Sequence, residues 1–349
     1  MPRPPPPPDV RIAPLLPLPA LLAEAGIDPE PLLAAAGIEA AVFAGADGDV
    51  RVPYPAAARL LHDAAAAMGR EDFGLLVGQR LGFDALGPLA QLMLHAPSVL
   101  QALRALQRYL LVHDRGAVAY LRLHAPAQAA LGYSVHDPGT PGVGLIHDLS
   151  ITVAVAVLRV LCGPKWRPLE VHLPRRAPAS PLAWRRNFGA PVQFEAAAAE
   201  VCFDAAWLAQ RPPLADPARQ LALLRAASRT ESALALPLAE RAQHAARVLL
   251  MTGALSAEHL AQLLDQHPRT LRRHLASEGT SLREIVSATR FGLARQLLAE
   301  TRLPLSELSA LLGYRDLTAF VRAFRAWANC APGQWRVAAQ RSGRRRPAA

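Results

Sequence analysis

"HPRTLRRHLASEG" (267–279) crowds His267, Arg269, Arg272 and Arg273 into its first seven positions, with His274 next. Leu271 and Leu275 are four apart and share one face of any helix formed here. A short helix with a leucine seam and an arginine face is either an ordinary solvated helix or a reader of something anionic. The surrounding sequence separates the two readings, because this region contains itself twice. "LAQLLD" (260–265) aligns with "LSALLG" (308–313), and "TLRRHLAS" (270–277) aligns with "AFVRAFRA" (319–326). Leu271 then meets Phe320, Arg273 meets Arg322 and Leu275 meets Phe324. Each copy reads helix, tight turn, helix, which is the helix-turn-helix pattern.

Local chemistry supports each piece. Ser256 is placed to cap the first helix, with Glu258 near its positive end. Gly313 supplies a left-handed residue for the second turn, and Asp316 is a cap for the second recognition helix. Between the copies, "SLREIVSATRFGLARQLLAE" (281–300) reads as one long helix. Twenty residues at about 1.5 Å each span roughly 30 Å, close to the ~34 Å turn of B-DNA. Such a strut can set two recognition helices into successive major grooves on one face. Gly292 is its weak point, costing on the order of 1 kcal/mol against Ala.

Charge follows the same division. The 349-residue chain carries a net +10. From residue 240 onward there are 17 arginines against 8 acidic residues, whereas residues 1–239 are nearly balanced. A neutral body with a basic C-terminal third suggests a sensing or catalytic part and a polyanion-binding part. Lys165 is the only lysine, so arginine clustering, not the choice of Arg over Lys, is the usable signal. Cys162, Cys202 and Cys330 match no metal-ligand spacing and fit a reduced, cytoplasmic setting. "MPRPPPPPDV" lacks the apolar core of a signal peptide, and residues 1–17 are expected to be a disordered proline-rich tail. The longest apolar run, "ITVAVAVL" (151–158), is too short to span a bilayer and reads as a buried element.

Ahead of the repeat the pattern is α+β. Leu18–Gly37 reads as two short helices broken at 26–29, 53–69 as a helix stopped by Gly69, and 86–96 as an apolar helix closed by Pro97. Ser98 is an N-cap for "VLQALRALQRYLLVH". Period-two alternation at 117–125 and 130–137, with Pro126 between, predicts a hairpin. In His147–Cys162 the β-branched residues favour a strand and the length favours a helix, the reading preferred; "LEVHL" (169–173), "VQF" (192–194) and "EVCF" (200–203) read as short strands. The expected order is an α+β domain over 18–210, a linker and helix over 211–240, an all-α DNA-binding domain with two helix-turn-helix motifs joined by a long helix over 241–340, and a solvated basic tail over 341–349.

Residues 241–340 resemble the DNA-binding domain of the AraC/XylS family of bacterial transcription regulators. The resemblance rests on "TLRRHLASEGTSLREIV", "RFGLARQLLAET", "LPLSELSALLGYRDLTAFVRAFRAW" and "APGQWR". Residues 18–210 resemble the sensor domain of that family's ornithine- and arginine-utilisation regulators, through "AGIDPEPLLAAAGI", "FGLLVGQRLGFDALGPLAQLMLHAPSVLQAL", "KWRPLEVHLP" and "RRNFGAPVQFEA". That resemblance implies that 18–210 is a sensor and dimerisation domain. Asp265, His267 and Asn329 depart from the family's Gly, Ser and Gly; Asp and Asn tolerate left-handed backbone, so the turns are expected to survive. The resemblance implies that Arg269, Arg272, Arg273, Leu317, Thr318 and Arg322 reach base edges. Arginine suits the guanine major-groove edge, and Leu317 suits a thymine methyl. Arg315 and Arg325 are expected on phosphates.

The partners implied are double-stranded DNA, a small-molecule effector, RNA polymerase and a second copy of the chain, with no membrane and no cofactor. No catalytic, metal or ligand-binding residue is singled out. A rival reading starts from four His-Asp pairs, His62–Asp63, His113–Asp114, His136–Asp137 and His147–Asp148. Paired His and Asp bind metals and support phosphoester hydrolysis, so the alternative is a metal-dependent phosphohydrolase fused to DNA-binding helices.

Overall fold

The period-two stretches do pair as a hairpin in the computed structural model, which describes residues 8–44, 48–125, 127–137 and 139–344. In chain order the first half comprises β1 (Asp9–Arg11), α1 (Leu18–Glu24), α2 (Glu30–Ala36), β2 (Arg51–Pro53), α3 (Tyr54–Ala67), α4 (Phe73–Leu81), α5 (Pro88–Leu94), α6 (Val99–His113), β3 (Ala117–Ala125), β4 (Gln128–Val135) and α7 (Val143–Cys162). Then come β5 (Glu170–Leu173), α8 (Leu182–Phe188), β6 (Val192–Phe194), β7 (Ala199–Asp204) and α9 (Pro217–Ala233). The remainder is helical: α10 (Leu238–Met251), α11 (Ala257–Leu263), α12 (Pro268–Ser277), α13 (Leu282–Glu300), α14 (Leu305–Leu311), α15 (Leu317–Ala328) and α16 (Pro332–Arg344).

The main sheet runs β3-β4-β7-β5-β6, antiparallel except for the β5/β6 pair. Its inner face, with Ala119, Leu131, Val171 and Val201, shares a core with α6 and α7. Ser98 caps α6 as the sequence indicates, its hydroxyl accepting from Gln101 N at 3.3 Å. Helix α7 is longer than the apolar run that marks it, and its 20 residues with mean hydropathy 1.9 meet the length and composition of a membrane span. Most of it is buried inside the fold against α4 and the sheet, so it is a core helix.

One expectation needs correction, and two helices were not anticipated. Residues 8–17 are ordered, whereas the first seven lie outside the described residues. Strand β1 pairs with β2, Ile12 is fully buried, and Arg51 donates to Asp9. Proline content masked this: Pro14 and Pro19 sit in first helical turns, where a missing N–H costs nothing. Helices α4 and α8 were not legible; α4 carries two glycines, which lower its helix propensity, and α8 has only 7 residues. Helix α16 runs through 341–344 of the expected solvated tail, and the rest of that tail, like Pro126, lies outside the described residues. Within 211–240, α9 adds Leu223, Leu224 and Ala227 to the core of the first half, and Tyr109 and Ser228 hydroxyls lie 2.9 Å apart.

The outer face of the β3–β4 hairpin is not free. Val118 and Tyr120 are fully buried in a cluster with Val248 and Leu250 of α10 and Leu293 and Leu297 of α13. Arg115 makes a two-pronged contact with Glu240, 2.5 Å on each side. Arg247, 1% exposed, donates to Ser134 Oγ at 2.9 Å, Val135 O at 2.7 Å and Gln296 Oε1 at 3.1 Å. Gly292, the weak point of the long helix, lies at this seam, where a Cβ would make ordinary contact 3.4 Å from His136 O. Gly132 lies opposite Tyr120, and a Cβ there would fall 2.2 Å from the Tyr120 ring. Gly132→Ala therefore has to push Tyr120 against α10 and should cost roughly 1–3 kcal/mol as overpacking. Urea denaturation measures this, and unchanged stability would contradict the packing of this seam.

Candidate nucleic-acid interface

The first copy of the repeat folds as its capping residues dictate. Ser256 Oγ accepts from His259 N at 3.0 Å and starts α11. Asp265 then takes φ 52°, a left-handed conformation that Asp tolerates, and the chain reverses into α12. His267 replaces the usual hydroxyl cap effectively, since its Nδ1 accepts from Arg269 N at 3.3 Å. Leu271 and Leu275 are fully buried with Ala242, Ala245 and Ala246 of α10 and Ile285 of α13. The Glu278 carboxylate, just past α12, accepts from Leu238 N and Ala239 N at 2.9 and 2.7 Å and ties the start of α10 to this motif.

In the second copy Gly313 takes φ 71° between α14 and α15, and Asp316 Oδ1 accepts from Ala319 N at 2.7 Å. Asn329 ends α15 in the left-handed region at φ 54°. Phe320 and Phe324 are fully buried with Leu308 and Leu312. Trp327 is only partly buried, with Nε1 donating to Ser287 Oγ at 2.7 Å. The strut α13 is one continuous 19-residue helix, roughly 28 Å long. It opens with a full capping box between Ser281 and Glu284.

Arg269, Arg272 and Arg273 are all exposed, as is His274. On α15, Leu317, Thr318, Arg322 and Arg325 are exposed, Leu317 at 41%. Among the described residues none of these five arginines has a carboxylate partner, so their charge is available to an external anion. Arg315 differs, since it is ion-paired with Asp316 at 2.8 Å. That pair is highly exposed and worth little, so a phosphate can compete for it. Between the two motifs lies an open cleft of about 650 Å³, lined by Arg272, Arg283, Arg290, Tyr314 and Trp327 among others. Arg290 stacks 4.9 Å over Tyr314 and donates to Gly313 O at 3.3 Å.

The His-Asp pairs do not converge. His113 lies near Arg11, and burial, with Arg11 and Arg51 nearby, lowers its pKa to about 3. Asp114 accepts from the Tyr133 hydroxyl and from Gly116 N, while burial lifts it to about 6. Asp148 is held by Arg175 and Trp184. His136 packs edge-on against His244 of α10, ring centres 5.9 Å apart, and His62 lies beside Gly142. Among the described residues the one cluster with metal-ligand proximity is Glu170, His172 and Cys202, which includes no His-Asp pair. The phosphohydrolase reading loses the convergence it required.

The arabinose-binding domain of AraC transcription regulators (N-terminal) matches residues 26–212, more than half of the chain. The chain belongs to the AraC family of transcription regulators. A helix-turn-helix domain matches residues 260–338, the stretch that holds both motifs. The HTH-type transcriptional regulator VirS of Mycobacterium tuberculosis is 33% identical over 330 residues, covering 93% of this chain and 95% of VirS. The ornithine utilization regulator of Pseudomonas aeruginosa is 28% identical over 322 residues, covering 91% and 93%. The crystal structure of the transcriptional regulator CdpR from P. aeruginosa is similar over 88% of this chain and 96% of that one, at 23% identity and a TM-score of 0.44. This AraC-family chain is thus a DNA-binding transcription regulator with a ligand-domain-type N-terminal half, and the matched domains and relatives are those of regulators.

Sequence reading missed the residues that join the halves of this regulator: Arg115, Tyr120, Gly132 and Arg247. One signal was present. Alternation in β3 put Val118 and Tyr120 together on the face away from Ala119 and Leu121, so an apolar outer face called for a cover.

Proposed function

We propose that the chain is an effector-controlled promoter binder. Helices α12 and α15 enter successive major grooves, with α13 as spacer. Arg269, Arg272, Arg273, Leu317, Thr318 and Arg322 read base edges, and Arg315 and Arg325 hold phosphates. The observation that carries this reading is the row of exposed, unpaired arginines on two recognition helices whose apolar sides are locked into separate cores. The working units are residues 18–210 for sensing and pairing with a second copy, and 241–340 for DNA. The protein acts in the cytoplasm, where promoter occupancy or contact with RNA polymerase is its output.

A route for the signal follows from the hairpin. Ala119, Leu131 and Tyr133 line a partly open cavity on one side of it. Val118, Tyr120 and Ser134 face α10 and α13 on the other. A ligand with different affinity for two positions of this shared wall shifts the docking of the DNA-binding helices, and only that difference can drive the response.

The division of roles on the DNA side is tested by two variants. Arg273→Ala should relax base preference within one half of the site, at about 1–3 kcal/mol of lost discrimination. Arg325→Ala should weaken all sequences alike and flatten the salt dependence by about one unit. Anisotropy titrations against a panel of mutated sites at several salt concentrations distinguish them; identical behaviour of the two variants would refute the assignment.

A further inference from the structure

The cavity behind the hairpin has a composition that constrains its occupant. It measures about 130 Å³ and lies between α3, α6, α7 and the β3–β4 hairpin. Leu106, Leu110, Leu149, Val153 and Leu131 supply apolar walls. For scale, an engineered apolar cavity of about 150 Å³ takes up benzene. The space therefore suits one ring or a branched chain of similar bulk.

Polar groups gather toward the end bounded by β1 and the end of α6. There Arg11, Tyr54, His113, Asp114 and Tyr133 meet. Arg11 is ion-paired with Asp49 and lies 3.5 Å from His113 Nδ1. Asp114 accepts from the Tyr133 hydroxyl and from Gly116 N. An incoming carboxylate would meet the Asp114 carboxylate and would have to displace Asp49 from Arg11. An incoming ammonium would meet the Arg11 guanidinium at the same end and would have to share the Asp114 carboxylate with the Tyr133 hydroxyl and Gly116 N. A charged head would thus be desolvated among groups that are already engaged, which costs several kcal/mol. The Tyr54 hydroxyl, in contrast, has only a long 3.5 Å contact with the Tyr133 hydroxyl and retains hydrogen-bonding capacity.

We propose that this cavity binds a small, uncharged, mainly apolar molecule of about one ring, with a hydroxyl or carbonyl directed at the Tyr54 and Tyr133 hydroxyls. The proposal rests on reading the N-terminal half as the effector-binding unit and names the chemical class that unit accepts. An amino-acid zwitterion such as ornithine, for which the ornithine utilization regulator is named, does not fit this lining.

The test uses the full-length chain and one scaffold in three charge states: benzyl alcohol, benzoate and benzylammonium. Isothermal calorimetry should show benzyl alcohol binding, with both ions at least about tenfold weaker. Ala154→Phe, which fills the cavity, should abolish the binding. Should that variant fold poorly, Tyr54→Phe is the second test: it should weaken benzyl alcohol several-fold while leaving toluene unchanged. Equal or tighter binding of either ion, or no binding of all three probes, overturns the ligand class. Binding of the alcohol that persists in Ala154→Phe overturns the site. None of these outcomes touches the reading of the chain as a DNA-binding regulator, which is lost only if promoter binding itself fails in the same preparation.

Discussion

Arg247→Met will separate the two halves of the molecule. In the native fold this side chain is an almost fully buried cation satisfied by three neutral acceptors, Ser134 Oγ, Val135 O and Gln296 Oε1. Burial without a carboxylate partner lowers its pKa to about 10, yet it remains charged at neutral pH. Methionine fills much of the volume and removes the cost of burying charge, but it strands three acceptors at about 1–3 kcal/mol each. The net loss is on the order of 2–4 kcal/mol against docking of α10 and α13 on the hairpin, since the relieved desolvation offsets part of it. Calorimetric melting should change from one cooperative transition to two, and proteolysis should accelerate in the segment between α9 and α10. A single transition at the wild-type temperature would mean that this seam does not hold the halves together.

Lengthening the DNA between the two half-motifs of a bound site will weaken binding whichever length is added. Five extra base pairs turn the second half-motif to the opposite face of the duplex, since one turn is about 10.5 bp. One chain then engages only one half, and the loss is several kcal/mol at roughly 1–3 kcal/mol per lost base contact. Ten extra base pairs restore the face but not the reach. A continuous helix of about 28 Å cannot stretch to two turns of duplex. Electrophoretic mobility assays on the parent site and both insertions measure the effect. Recovery at ten base pairs would show that separate chains or a flexible link set the spacing, contrary to the rigid α13.

What was legible in the sequence was what depends on neighbours in the chain. Leu271 and Leu275, matched by Phe320 and Phe324, mark both recognition helices because helical period sets which side chains share a face. Ser98, Ser256 and Asp316 announced helix starts because a cap acts within three residues. Resemblance to known regulators supplied the roles that periodicity alone did not. Illegible features depend on distant chain segments. Arg247 in a helix reads as one more solvated arginine, and only the approach of β4 and α13 makes it a buried tie. The cavity has no local signature, since Leu106, Leu149 and Leu131 would suit a filled core equally well.

The most direct measurement is a methylation-protection footprint of the full-length chain on a site it occupies in its own genome, read in both major and minor grooves. The expected result is two protected major-groove patches per chain, on one face of the duplex and about 10.5 bp apart. Arg273→Ala should erase protection at one patch and leave the other. A single patch, patches on opposite faces, or protection confined to the minor groove would contradict two recognition helices held one turn apart by α13.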